Sequence, residues 1–317
     1  MRTLIGFIQA AAQAIQQAGP PAARPGGPPP GFSYTEAFFQ LVQFVGYFLA
    51  IGAIGFRFGI VRRVRGISGE AKRILRADNA ALLGIIGVLL LFVSYLGAPF
   101  IGSITEHKTF VEMLPKNIAP FQLRMAMLLL TLVGFVIVRA SPGLGWTLAT
   151  IGILVAVLQP VYTGKLAGKV NAVHVLGAST WLGTLLVLTI VGIRGVIKMG
   201  APGLARAEVV CDLVNAFSPL ALTAATVVAL TGLTTAWLHL KRVSALWTSS
   251  YGITLIVKLI FVLCVAVMGA WNWKRVRPSL GESGSEETIR HSATMELSFG
   301  ALVLLATSVL VTLPSPR

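Results

Sequence analysis

Eight long apolar runs follow one another along the chain with only short connections between them, at about 36–61, 78–101, 119–138, 143–162, 171–193, 214–240, 251–273 and 292–313. A hydrocarbon core about 30 Å thick is crossed by roughly 20 apolar residues in a helix, so every run is long enough to span it. The expected fold is therefore all-α, a polytopic transmembrane bundle of eight spans. Composition agrees: 55% of residues are hydrophobic and 12% charged, with mean hydropathy +0.81, where soluble domains carry about 25% charged residues. The connections leave no room for a soluble domain, so binding chemistry has to lie inside the bundle or at its two surfaces.

Orientation follows from the 26 Lys and Arg residues, because cationic loops stay in the cytoplasm during insertion. The loop "RRVRGISGEAKRILRAD" alone carries Arg62, Arg63, Arg65, Lys72, Arg73 and Arg76. Placing it inside assigns fourteen cationic residues to the inner side and nine to the outer loops and tails. Both termini are then expected outside. The net charge of +15 sits beside apolar spans, which points to topology and anionic lipid headgroups, with no nucleic-acid partner.

The chain divides by composition. Residues 1–18 place Ile5, Ile8, Ala12 and Ile15 at helical spacing, an amphipathic interfacial helix on the outer surface or an uncleaved signal-like segment. Residues 19–35, with "GPPAARPGGPPPG", cannot be helical and read as a tether. A membrane half of four spans at 36–165 precedes a second of four at 166–317. Cys211 and Cys264 read as small buried residues rather than a disulfide.

Ionisable groups are expensive inside a membrane and mark candidate sites. His174 lies about one turn below the outer end of the fifth span, with Trp181 two turns on and on the same face by a 3.6-residue period. His239 ends the sixth span at a similar outer depth, beneath a loop carrying His107 and Met113, while Met125 and Met127 open the third span. Imidazole with thioether suits copper, the thioether favouring Cu(I). Met125 and Met127, two residues apart, point to different faces of a helix. At the inner end His291 and Met295 stack four residues apart and are followed by Glu296, with Met268 at similar depth. Such a pair would receive an ion that had crossed from an outer site. Arg124 and Lys258 are further buried charges in the outer half, too far in depth from Glu296 to pair with it.

Four ordered pieces, "HVLGASTWLGTLL", "FSPLALTAATVVALTGLTTAW", "LWTSSYGITLIVKLIFVLCVAVMGAWN" and "HSATMELSFGALVLLATSVLVTLPSP", cover residues 174–316. In sequence, order and spacing they resemble the copper-resistance protein D family of bacterial inner-membrane proteins. The resemblance implies an eight-helix protein of the inner (plasma) membrane that handles copper, often taking it from the periplasm toward the cytoplasm. It carries over His174 and Trp181, then Tyr251, Gly252 and Lys258, then Asn272 and Glu296. Thr184 stands where the family often has a second glycine, and Ala216 where an Arg often precedes the Phe-Ser pair.

Three functions follow as expectations. The first is copper binding, with transport across the membrane or delivery at it, using His174, His239 and Met125 or Met127 outside and His291, Met295 and Met268 inside; a periplasmic copper-binding protein is a partner of this reading. The second is a non-catalytic subunit scaffolding a larger respiratory or photosynthetic membrane complex. The third is a b-type haem protein in which His174 and His239 ligate one iron from opposite sides. The sequence has no P-loop, CxxC or HExxH, so an ATP-driven pump and enzymatic turnover are not expected.

Overall fold

The computed structural model describes residues 33–64, 77–115, 118–197, 203–240, 242–272, 274 and 285–314. The expected interfacial helix at 1–18, the tether up to residue 32 and most of the basic loop after the first span lie outside them. Eight helices are long and apolar enough to cross a membrane. They are α1 (Tyr34–Val61), α2 (Ala77–Thr105), α3 (Ile118–Ile137), α4 (Pro142–Thr163), α5 (Leu166–Val196), α6 (Gly203–Leu240), α7 (Ser250–Trp271) and α8 (Ser285–Thr312). Among the described residues there is no strand, as expected where no water is present to satisfy an open sheet edge. Spans α5, α6 and α8 begin several residues before their apolar runs, because Lys169, Glu208, Asp212 and Arg290 continue the helices into the polar interface.

Helix starts follow local chemistry. Ser33 accepts a hydrogen bond from the Glu36 N–H at 3.2 Å, and Ser249 accepts one from Gly252 N–H at 3.0 Å, each satisfying an orphan first-turn donor. Pro142 occupies the first turn of α4, where its missing N–H costs nothing. In the loop after α2, Glu112 accepts from the Thr109 N–H at 2.8 Å, and that bond holds its carboxyl below the usual range.

Span α1 is the hub. It packs against α2, α4, α5 and α8, while α3 pairs with α4, α5 with both α4 and α6, and α7 with α8. Glycines set these crossings. A Cβ on Gly46 would meet the Gly87 carbonyl oxygen at 2.8 Å, and one on Gly87 would meet that of Gly46 at 2.7 Å. Across α1 and α5, a Cβ on Gly52 would run into the Gly183 backbone, and one on Gly183 would run into the Phe48 backbone. Lipid tails are as apolar as leucine, so close backbone approach is what favours helix on helix over helix on lipid. The main core then fills with Phe56, Leu91, Leu128, Phe135 and Trp146, the last two edge-to-face at 5.6 Å.

Two spans depart from the regular α-helix. A π-helical segment, Phe56–Val61, ends α1, and two more, Ser179–Gly183 and Leu188–Ile193, interrupt α5. Ser179 and Thr184, at the two ends of the first interruption, are fully buried with hydroxyl oxygens that have no hydrogen-bond partner among the described residues. Gly183→Val is expected to force α5 off α1 and to destabilise the protein by about 1–3 kcal/mol. Gly143→Ala, where a Cβ would meet nothing within 4 Å, should stay within about 0.5 kcal/mol of the parent. Equilibrium unfolding of both variants in the same detergent checks this.

Candidate metal-binding stripe and buried polar clusters

The polar centre of the second half is a stripe along α6. Its threonines turn their hydroxyls back onto carbonyls one turn earlier: Thr231 donates to the Val227 oxygen at 2.6 Å and Thr235 to the Thr231 oxygen at 2.8 Å. A threonine has one hydroxyl proton. With that proton given to Val227, the Thr231 oxygen can only accept from His174 Nδ1, which lies 3.0 Å away. The network therefore assigns the proton of the His174 ring to Nδ1 and leaves the Nε2 lone pair unclaimed. Gly232 gives the ring its seat, since a Cβ there would lie 3.1 Å from His174 Cε1.

His239 repeats the logic on its own helix. Its Nδ1 donates to the Thr235 carbonyl oxygen at 2.8 Å, which again leaves Nε2 free, and its ring stacks on Tyr251 of α7 at 6.0 Å with planes 14° apart. Lys258 lies seven residues further along α7. It makes no hydrogen bond or ion pair among the described residues. A fixed Nδ1–H with an open Nε2 is the arrangement in which a hydrogen-bond acceptor behind the ring orients a metal-ligating histidine.

The two histidines are successive stations, not one level. Thr231 Oγ1 and His239 Nδ1 each bind the carbonyl four residues before them, so the His174 and His239 rings are anchored eight residues apart on α6, about 12 Å by helical rise. The b-type haem expected between these histidines would require both Nε2 atoms to converge on one iron.

A correction concerns Trp181. The first π-helical segment of α5, Ser179–Gly183, contains Trp181 and departs from the period that put it on one face with His174. His174 faces α6, whereas Trp181 packs between the main core and a smaller cluster with Phe48, Val265 and Phe299.

The methionines and the inner residues are placed as follows. Met125 and Met127 are half-buried and both pack on the main core. Met113 lies against Gly102, and His107 occupies an exposed turn with φ 52°. At the other end of the bundle, His291 and Met295 share the exposed side of α8, with Met295 41% exposed, while Glu296 turns the other way and is 5% exposed. His291 lines a cleft of about 620 Å³ with Arg194, Thr288, Arg290 and Thr294. Met268 is half-buried on α7. Glu296 accepts from Asn272 Nδ2 at 3.1 Å, and Asn272 in turn accepts from the Ser292 hydroxyl. Gly269 leaves room beside the other carboxylate oxygen, 3.8 Å from where its Cβ would be. Among the described residues no three His, Cys, Asp or Glu side chains converge in a metal-holding group. Cys211 and Cys264 are free thiols.

Arg124 belongs to a network that joins the four N-terminal spans. Its Nη2 donates to Gln159 of α4, whose Nε2 donates to the Pro120 oxygen at 2.7 Å. The guanidinium lies over the Tyr95 ring of α2, 4.9 Å from the centroid. Tyr95 accepts from Gln43 of α1 at 2.9 Å and shares a 2.9 Å hydrogen bond with Tyr47. Arg124 stood out in the sequence as an intramembrane charge; Gln43 and Gln159, the amides inside apolar runs, were the signal for its partners. The role of Thr231 had no signal beyond its four-residue spacing to Thr235 and, through it, to His239.

Residues 212–310, from the first half of α6 through nearly all of α8, match the family described as copper resistance protein D. The match takes in His239, Tyr251, Lys258, Asn272 and Glu296 and stops short of α5, so His174 lies outside it. No curated protein and no solved structure matches the chain.

The tautomers can be checked directly. Nitrogen NMR of ¹⁵N-histidine-labelled protein is expected to show His174 and His239 both protonated on Nδ1. Thr231→Val should perturb the His174 signals and leave those of His239 in place.

Proposed function

We propose that the protein binds copper ions and carries them across, or delivers them at, a bacterial inner membrane. The observation that carries this reading is the match of α6 to α8 to the copper-resistance family. It is supported by two imidazoles held on one stripe of α6 with Nδ1 engaged and Nε2 open. Copper here is cargo. It enters at the ends of α5 to α7 where both termini are expected, meets His239 and then His174 one station deeper, and leaves at the opposite ends of α7 and α8.

The residues fit a monovalent soft ion better than a resident cluster. Cu(I) is satisfied by two or three neutral nitrogen or sulfur donors, and a neutral ligand set avoids burying additional fixed charge in lipid. Neither methionine of α3 faces the stripe, so we assign Met125 and Met127 to packing and the outer station to imidazole. The exposed His291–Met295 face is an exit at the membrane interface, reached after the ion passes the buried Glu296. A soluble copper-binding protein is the partner expected on the outer side. No catalytic turnover is part of this reading; inward movement is driven by the membrane potential, which contributes about 2.3 kcal/mol per charge per 100 mV.

The test is copper stoichiometry and affinity in purified, reduced protein. About one equivalent of Cu(I) is expected, and His174→Ala should weaken binding at least tenfold, a loss of about 1.4 kcal/mol. Cells expressing His174→Ala or His239→Ala should accumulate less copper than cells expressing the parent. Unaltered binding and accumulation in both variants would overturn the assignment.

A further inference from the structure

Among the described residues Arg124 has no anionic partner. A guanidinium stays charged at any physiological pH and offers five N–H donors. Among the described residues one of these is used, by Gln159, and Nε is buried without a partner. The Tyr47–Tyr95 pair beside it is also short of acceptors. The two hydroxyls share one hydrogen bond, and Gln43 donates to Tyr95, so one phenolic proton has no acceptor in the network. The cluster is rich in donors and contains no anion.

Sequence accounting shows that no carboxylate side chain is available to supply one. Of the eleven Asp and Glu residues, only Glu36, Glu106 and Glu112 belong to the side of the membrane nearer Arg124. Glu106 pairs with Lys108 at 2.5 Å, Glu112 caps Thr109, and Glu36 is exposed in the first turn of α1. Residues 1–33, which precede α1, contain no acidic residue at all. The remaining carboxylates fall within 70–78, 208–212 and 282–287, at the opposite ends of the spans, or at Glu296 on α8. An intramembrane charge without a partner is strongly disfavoured, and a guanidinium's planar fork matches the geometry of a carboxylate or phosphate.

We propose that Arg124, with the Tyr47–Tyr95 pair, forms an oxyanion site that takes a carboxylate or phosphate group from outside the chain. The group belongs either to a lipid headgroup of the adjoining leaflet or to a soluble anion. The site lies outside the segment matched to the copper-resistance family, and its test does not depend on copper.

The experiment follows thermal unfolding of the full chain in nanodiscs by tryptophan fluorescence, titrating inorganic phosphate against isethionate at constant ionic strength. In zwitterionic lipid, a soluble ligand raises the Tm of the parent saturably, by roughly 5 °C at a hundredfold excess over Kd. A headgroup ligand leaves that titration flat, and the Tm rises instead when phosphatidylglycerol replaces part of the lipid. In either case Arg124→Gln abolishes the rise, and Arg124→Lys, which keeps the charge without the fork, weakens it at least tenfold in apparent affinity. In maltoside micelles, which carry neither phosphate nor carboxylate, Arg124→Gln should be at least as stable as the parent, whereas a purely structural clamp would lose stability. A parent that responds to neither anion source, or an equal response in Arg124→Gln, overturns the site. If neither variant inserts, the two titrations of the parent decide the matter.

Discussion

Close backbone contact between glycines is the constraint from which the rest of this bundle is built. In water, a helix with a leucine face gains by leaving solvent; in lipid it gains almost nothing, and association has to come from packing that lipid cannot match. Span α1 meets that requirement twice, with Gly46 on Gly87 of α2 and Gly52 on Gly183 of α5. The same helix therefore ties the first four spans to the last four. The Gly183 contact lies in a π-helical segment of α5, so the approach to α1 and the distortion of α5 occur at one place. The change in register that this produces turns Trp181 toward α1, α7 and α8 while His174, just before it, keeps its contact with α6.

Polar groups inside the bundle are organised by a related rule. With no water to share, each hydroxyl in α6 returns its proton to its own helix, and the helix becomes a row of oxygen acceptors with fixed spacing. Histidines that touch this row have no choice of tautomer. The chemistry of His174 and His239 is thus set by Val227, Thr231 and Thr235, residues with no reactive group of their own. Threonine in place of valine or alanine at such positions is a functional choice as well as a packing one.

Much of the architecture was legible in the sequence because the bilayer allows few alternatives. Apolar runs of the right length predicted all eight spans to within a few residues at most ends, and the polar extensions of α5, α6 and α8 escaped only because Lys169, Glu208 and Arg290 interrupt the apolar pattern without interrupting the helix. Depth along a span was read well enough to put His174, His239, Arg124 and Lys258 in the same half. Lateral facts were not legible. A regular period could not foresee the π-helical interruption in which Trp181 sits. The Arg124 cluster needs four helices to come together, and no spacing within one span encodes that.

For the copper transport proposed above, the distribution of fixed charge bears on direction. Lys258 lies in the half of α7 shared with His174 and His239, whereas Glu296 lies in the opposite half of α8, facing Asn272 near the other end of α7. A cation entering beside the histidines meets a repulsive ammonium and, further along, an attractive carboxylate when Glu296 is ionised. In a medium of low dielectric such interactions reach further than in water, and the resulting slope favours travel from the histidine end toward the Glu296 end. That slope adds to an inside-negative membrane potential if the basic loops face the cytoplasm. The same slope would oppose an anion moving in that direction, which makes the Arg124 cluster, walled off among α1 to α4, a separate place to hold negative charge rather than part of the cation's route.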